Sequence, residues 1–457
     1  MSKAEGSLEA PTRHPLGWQE PDFYDAEKLD AELRRVFDIC HGCRRCFNLC
    51  DSFPRLFDMI DDSPTGELDE VDSAGFSKVV DACTLCDMCF MTKCPYVPPH
   101  AFDVDFPHLM LRARAVEFRE GRTPKAVRQL TETDRNGKLA APVAPVANWA
   151  GKRGNALTRP LMEKAAGVHR DAHLPAYAGK PYTAGQGKEP VKVNAEAPAF
   201  GRKALLYVTC FANYNDTEIA AAARAVLAHN GVETELSYPE CCGMPQLEQG
   251  DVSRVADKAA RVAALLRPRV DEGYSVVALT PSCCLMLKSE WPLLLPDNED
   301  VKALAAATAD ISEYLVDISR KEGLAEGLQA LDGPVSVHIA CHARAQNIGR
   351  QAEQMLRLVP DADLKVVERC SGHGGSWGIM KDNFDIAMKV GGPVFKQMHN
   401  SGKARYMVSE CPLAAAHIGQ GAEALQAEQG GERAETVPHP VILMARAWGL
   451  LPEGGKK

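Results

Sequence analysis

The sequence has no excess of positive charge: 61 acidic against 52 basic residues leave a net charge of -9 over 457 residues. Nucleic-acid partners need a basic surface, so that class is set aside. No apolar run approaches the ~20 residues needed to cross a bilayer, so any membrane attachment is expected to be peripheral, on the inner face of the plasma membrane. The polar, proline-containing stretch Met1 to Glu20 has no apolar h-region, and a cytoplasmic location is the expectation. There is no G-x-G-x-x-G after an expected strand, no Walker loop and no H-E-x-x-H helix. A flavin or nicotinamide site is therefore expected in a partner and not in this chain. Length allows about three domains at ~150 residues each, and 45% hydrophobic with 25% charged residues is a globular composition.

What the chain does have is sixteen cysteines. Eight lie between Cys40 and Cys94, none between Cys94 and Cys210, and eight between Cys210 and Cys411. In a reducing compartment disulfides are not expected, and clustered thiols point to metal or redox chemistry. The first cluster is Cys40, Cys43, Cys46 and Cys50; the second is Cys83, Cys86, Cys89 and Cys94, followed by Pro95. Both open at i, i+3 and i+6, a spacing that wraps three thiolates around one iron-sulfur cube while a remote fourth closes it. Zinc sites pair two C-x2-C units instead.

This arrangement resembles the two-cluster bacterial ferredoxin domain, in which the fourth cysteine of each motif serves the other cluster. The resemblance implies one 4Fe-4S cluster on Cys40, Cys43, Cys46 and Cys94, and another on Cys83, Cys86, Cys89 and Cys50. Asp51 stands where the family often has proline, and Cys94 is one residue further along than usual. Between the motifs, Asp58, Asp61, Asp62, Glu67, Asp69, Glu70 and Asp72 read as a solvated surface loop, with docking of a redox partner as the alternative. Residues 105–120 read as a helix covering the cluster domain, with Arg112, Arg114 and Arg119 on a basic face. The Ala-, Pro- and Val-rich run Leu139 to Ala150 reads as a stiff linker, with an interfacial role as the alternative. Residues 151–200 read as a connector with one helix near Pro160 to Ala166.

The second half is a duplication. Expected strands ending at Cys210, before Cys241-Cys242-Gly243, and at Pro281-Ser282-Cys283-Cys284 are repeated before Cys341, Cys370 and Cys411. The three landmarks recur at shifts of 131, 129 and 128 residues. Strands alternating with helices imply parallel α/β units with ligands presented beyond the strand carboxyl ends, so the thiols are expected to converge. The fold class is therefore α+β overall: a mostly helical two-cluster ferredoxin domain (30–120), a connector (121–200) and two repeated α/β Cys-Cys-Gly units (201–330 and 331–450).

This order resembles the heterodisulfide reductase-like iron-sulfur proteins, a family that includes the iron-sulfur subunits of anaerobic glycerol-3-phosphate dehydrogenase and of glycolate oxidase. The local sequences Cys210-Phe-Ala-Asn-Tyr-Asn and Arg112-Ala-Arg-Ala115 favour the former group. The resemblance implies a further iron-sulfur cluster on Cys210, Cys241, Cys242 and Cys283, with Cys284 as an extra neighbour. The second repeat is eroded: Ser371 and Ala414 replace expected cysteines. It keeps Cys341, Cys370 and Cys411, with His342 or His373 as a candidate imidazole ligand. That set suits zinc or a modified cluster, and an empty site is the alternative. The Gly372 to Gly378 loop suggests close backbone approach to something bound. The functional expectation is an electron-transfer subunit of an oxidoreductase complex, working between a flavoprotein dehydrogenase and quinone or another acceptor. The alternatives are a disulfide or heterodisulfide reductase acting at the Cys-Cys-Gly site, electron donation to a rubrerythrin-type partner, or a zinc scaffold.

Overall fold

Short apolar runs buried on both faces favour parallel strands with helical crossovers. The computed structural model, which describes residues 6–7, 9–429 and 434–451, builds two such sheets. In the first, β1 (Lys203–Tyr207), β2 (Glu233–Ser237), β3 (Ser275–Ala278) and β4 (Thr308–Asp310) lie in the order β2-β1-β3-β4. In the second, β5 (Val335–His338), β6 (Leu364–Val367), β7 (Tyr406–Ser409) and β8 (Glu435–Val437) lie in the order β6-β5-β7-β8. All pairings are parallel. The shared order is the three-dimensional form of the sequence duplication. Strands β4 and β8 escape sequence reading because three residues carry no period.

The two sheets share one apolar core, in which Leu206, Val208 and Val277 of the first meet Val337, Val408 and Val437 of the second. Helix Thr217–His229 packs on helix Pro440–Ala447 across this seam. The N-terminal helices share a different core with the first repeat, from Phe37, Phe53 and Met110 through to Leu205, Val276 and Trp291.

Helix Ala26–Cys43 starts where Asp25 accepts the Lys28 N–H at 2.9 Å and ends at Arg44 in the left-handed region (φ 52). The helix expected at 105–120 runs Phe106–Arg119 and buries Leu109, Ala113 and Val116. The acidic stretch is a helix followed by an irregular segment with one short 3-10 turn, Leu68–Glu70. Helix Ser52–Asp61 buries Phe53, Leu56, Phe57 and Ile60 on one face, and helix Ser77–Ala82 follows. The seven carboxylates are exposed as expected; Asp58 and Asp61 occupy the solvent side of a helix whose apolar side builds the core. The 139–150 run is not a linker. Thr133–Ala140, Ala141–Val143 and Ala144–Gly151 form one continuous helical stretch, because Pro142 and Pro145 fall at the first turns of their segments, where no amide donor is lost. The expected helix near 160 is Thr158–Ala166, and the strand-like contact Val168 to Met380 ties this segment to the second repeat.

A buried charge cluster fastens the N-terminal segment. Arg13 reaches Asp105 at 2.7 Å, Asp87 at 2.9 Å and Glu290 at 3.3 Å, and its guanidinium lies over Phe90. His108 stands between Asp105 and Glu290 at 3.4 and 3.2 Å.

Candidate functional site

The first thiol set surrounds a small cavity. Cys40 and Cys43 leave the last turn of helix Ala26–Cys43, Cys46 follows in a turn, and Cys94 arrives from the other motif after helix Met88–Thr92; all four line the cavity with Ile39, Phe53, Phe57, Tyr96 and Val104. Burial, then the neighbouring Cys94, Cys46 and Cys43, push the Cys40 thiol well up. Burial and Cys94 lift Cys46 to about 12. Arg44 pairs with Asp61 and lies over Phe57.

The second set is Cys83, Cys86, Cys89 and Cys50. Positive φ at Leu85 (47) and Asp87 (61) coils the 83–89 loop so that its thiols face inward. Cys89, raised by burial, is further raised by Cys86, Cys83, Cys50 and Cys46, so this set adjoins the first. Arg114 donates to the carbonyls of Cys83, Val80 and Glu248, locking the loop onto helix Phe106–Arg119 and onto the first repeat. Eight thiols gathered in two sets, most of them raised by burial and by neighbouring cysteines, are a donor set that calls for cationic metal to offset the charge of the thiolates.

In the second repeat, Cys341 begins helix Cys341–Ala345, which packs between helix Pro281–Leu285 of the first repeat and helix Met88–Thr92 of the cysteine module. Cys341, pushed up by burial, feels Cys370 and Cys411; Cys86 in turn feels Cys341 and Cys370. Each candidate imidazole has one ring nitrogen on a backbone group. His342 Nε2 lies 3.3 Å from the Leu85 carbonyl, while His373 Nδ1 accepts the Gly375 N–H at 3.0 Å and its ring lies edge-on to His417. Among the described residues no three Cys, His, Asp or Glu side chains stand close enough to hold one metal ion. The glycine loop approaches protein: a Cβ on Gly374 would meet Thr84 at 2.7 Å, and one on Gly375 would meet Glu248 at 2.7 Å. Glu248, lifted by burial to about 7, faces Cys411.

In the first repeat, Cys210, Cys241, Cys242 and Cys283 follow the carboxyl ends of β1, β2 and β3 along one sheet edge, as parallel topology requires. They form two close pairs, Cys210–Cys241 at 3.9 Å and Cys242–Cys283 at 3.2 Å between sulfurs. Four thiols gathered beyond one end of the sheet are a donor set that fits a cluster. Gly243 follows at φ +90, with Val255 3.1 Å from where a Cβ would be; a left-handed turn against a buried side chain is why glycine stands there. Cys284 does not join this set. It is fully buried among Asp310, Lys288 and Glu313, since one residue further along a helix faces about 100° away.

The surroundings of the first-repeat thiols were not legible in the sequence. Asp134, in helix Thr133–Ala140, accepts the Cys241 N–H at 3.0 Å and the Tyr238 hydroxyl, and Lys258 Nζ lies 3.6 Å from it. Tyr207 donates to the Glu240 carbonyl and Trp291 Nε1 to the Cys242 carbonyl at 3.0 Å. Cys241 is held well below the usual thiol range by hydrogen bonds from Cys210 and Cys242, with the buried Lys258 ammonium adding to this. Tyr238 and Lys258 follow the readable pattern of strand end and helix around Cys241. Asp134 lies more than a hundred residues away and carries no local signal.

The four sets are contiguous. Cys46 adjoins Cys89, Cys86 adjoins Cys341 and Cys370, and Cys411 adjoins Cys283. The second-repeat thiols therefore lie beside both the N-terminal module and the first repeat, which also meet each other directly.

Comparison with known proteins agrees with the duplication: residues 204–288 and 335–419 each match the family described as cysteine-rich domain, CCG, so the chain carries two such domains. The chain is similar to the C subunit of anaerobic glycerol-3-phosphate dehydrogenase of Escherichia coli K12, 27% identical over 352 residues, covering 76% of this chain and 82% of the relative. It is also similar to lactate utilization protein A of Geobacillus thermodenitrificans, 29% identical over 211 residues, covering 43% of this chain and 78% of that protein. No helix among the described residues is long and apolar enough to cross a membrane.

Proposed function

We propose that this chain is the iron-sulfur electron-transfer subunit of an oxidoreductase complex. In this reading Cys40, Cys43, Cys46 and Cys94 hold one 4Fe-4S cluster, Cys83, Cys86, Cys89 and Cys50 a second, and Cys210, Cys241, Cys242 and Cys283 a further cluster. Such clusters, when bound, take up and release electrons over potentials set largely by burial and hydrogen bonding. The chain's own residues bury the thiols, space them and polarise them. The observation that carries the reading is the gathering of Cys40, Cys43, Cys46 and Cys94 around one cavity and of Cys210, Cys241, Cys242 and Cys283 in close pairs beyond the strand ends of the first repeat. The name of the Escherichia coli relative, a dehydrogenase subunit, supports a dehydrogenase as the electron source, and in this reading that partner carries the flavin. A quinone at a membrane surface is the acceptor in this reading, and the location is the cytoplasmic face of that membrane.

Lying beside both gives the second-repeat thiols a role: Cys341, Cys370 and Cys411 carry or space the step between the ferredoxin-type module and the first repeat. Iron, zinc and acid-labile sulfide content, with EPR of the reduced protein, tests the whole. At least about eight irons are expected for the two ferredoxin-type clusters; zinc without iron overturns the proposal. Freeze-quench EPR of Cys341→Ser should show the first-repeat signal intact but reduced more slowly. Loss of that signal would mean that the two repeats share one cluster.

One observation favours a second reading. A Cys241 thiol held low beside Lys258 and Tyr238 suits attack on a disulfide. Thiol-dependent change in the first-repeat EPR signal would support disulfide reduction over passive transfer.

A further inference from the structure

The helical stretch from Thr133 to Gly151 is amphipathic in an inverted sense. Its inner face is small and polar. Asp134 reaches Cys241, Gly137 packs directly against the Tyr214 ring, Ala141 and Ala144 are buried, and Asn148 exchanges hydrogen bonds with the Tyr177 backbone at 2.9 and 2.7 Å. Its outer face is large and apolar: Leu139, Val143, Val146 and Trp149 are 68, 52, 64 and 54% exposed. Leu139, Val143 and Val146 fall at i, i+4 and i+7 on one side of the helix. Helix Thr158–Ala166 packs beside Ala144–Gly151 and continues the surface with Leu157 at 76% and Leu161 at 65% exposure. Six of the ten large apolar residues exposed among the described residues belong to this one surface. A soluble helix buries such side chains, so their grouping marks a contact surface.

Charge identifies the occupant. The chain carries -9 overall, yet residues 135–165 hold six basic side chains and one acidic. The one carboxylate, Glu163, is paired with Arg170. Lys138, Lys152 and Lys164 flank the apolar side chains, are exposed, and have no carboxylate partner among the described ion pairs. Apolar side chains with an exposed tryptophan and a basic rim are the composition of an element lying in the interface of an anionic bilayer.

We propose that the outer face of Thr133–Gly151 and Thr158–Ala166 is a docking surface for anionic lipid. This deepens the quinone reading above by naming the surface that would meet the membrane. The opposite face of the same helix holds Tyr214, beside Cys210, and Asp134, on Cys241. Docking therefore sets the first-repeat thiols about one helix diameter, ~10 Å, below the lipid contact, within reach of an acceptor dissolved in the bilayer.

The test uses the full chain and flotation with vesicles of phosphatidylcholine alone or in equimolar mixture with phosphatidylglycerol. Flotation is expected with the mixture, together with a blue shift of emission that disappears in Trp149→Phe. The double variant L157E/L161E alters only exposed positions and should abolish flotation with its iron content unchanged. K138Q/K152Q/K164Q should lower partitioning to the anionic vesicles at least about tenfold, given roughly a fivefold effect per cation at low salt, and leave any residual binding to phosphatidylcholine alone unchanged. Absence of flotation with either vesicle, or equal flotation of L157E/L161E, overturns the proposal. So does a wild-type chain that ignores vesicles but forms a dimer split by L157E/L161E, since the patch is then a contact between copies. None of these readings depends on cluster content or turnover, so failure here leaves the electron-transfer reading standing.

Discussion

Replacing Arg13 with methionine should unlock the N-terminal segment and reverse the pH response around it. Arg13 is one of two cationic side chains among three buried carboxylates, Asp87, Asp105 and Glu290, with His108 the other. Methionine keeps an apolar stem over Phe90 but leaves those carboxylates facing His108 alone. Breaking a buried, hydrogen-bonded ion network by removing one partner costs about 3 to 5 kcal/mol, which is roughly 150-fold or more in an opening equilibrium. Hydrogen exchange reads this locally, at the Met91 amide on the Asp87 carbonyl and the Leu109 amide on the Asp105 carbonyl. In the wild type Asp105 is held down despite burial, by His108 and Arg13, and Glu290 likewise by His108 and Arg13. Their stabilisation is present above the unfolded carboxylate range and lost as pH falls through their lowered folded values. Opposed by burial and Arg13 but favoured by Asp105 and Glu290, His108 is raised, so its contribution is complete below its unfolded value and lost as pH rises through the folded one. In Arg13→Met the uncompensated carboxylates should take up protons, so protection should increase between pH 7 and pH 5. Exchange within about fivefold of wild type (~1 kcal/mol), with no gain in protection on acidification, would refute the reasoning.

Gly243→Ala should lower thermal stability by about 1 to 3 kcal/mol, from left-handed strain and the Val255 contact. Gly273→Ala, with φ +86 and open space around it, should show the strain alone; equal losses would remove the Val255 argument. In cofactor-free protein, Lys258→Met should raise the pH midpoint for alkylation of Cys241, because the buried ammonium beside Asp134 is gone and only the hydrogen bonds from Cys210 and Cys242 still hold the thiol down; an unchanged midpoint would remove Lys258 from the argument. Arg114→Leu strips donors from the carbonyls of Cys83, Val80 and Glu248. It should loosen the second thiol set, read as faster loss of iron to chelator, while a Glu117→Gln control on the same helix changes little.

The sequence alone determined what is local or periodic. Triplet cysteine spacing defined the N-terminal loops, six of the eight strands were visible as apolar runs, and the shift of about 130 residues between Cys210 and Cys341 exposed the duplication now seen as two sheets of identical order. Where local reading failed, packing had the deciding vote. The 139–150 run looked like a linker because prolines break helices, and it is helical because those prolines fall where no donor is lost. Cys284 looked like a companion of Cys283, and one helical step turned it away toward Asp310. Only the tertiary structure could set Asp134 on Cys241, or place the second-repeat thiols beside both the cysteine module and the first repeat. Those relations join residues far apart in the chain, and contacts of that kind are fixed by how cores meet, which no window of sequence contains.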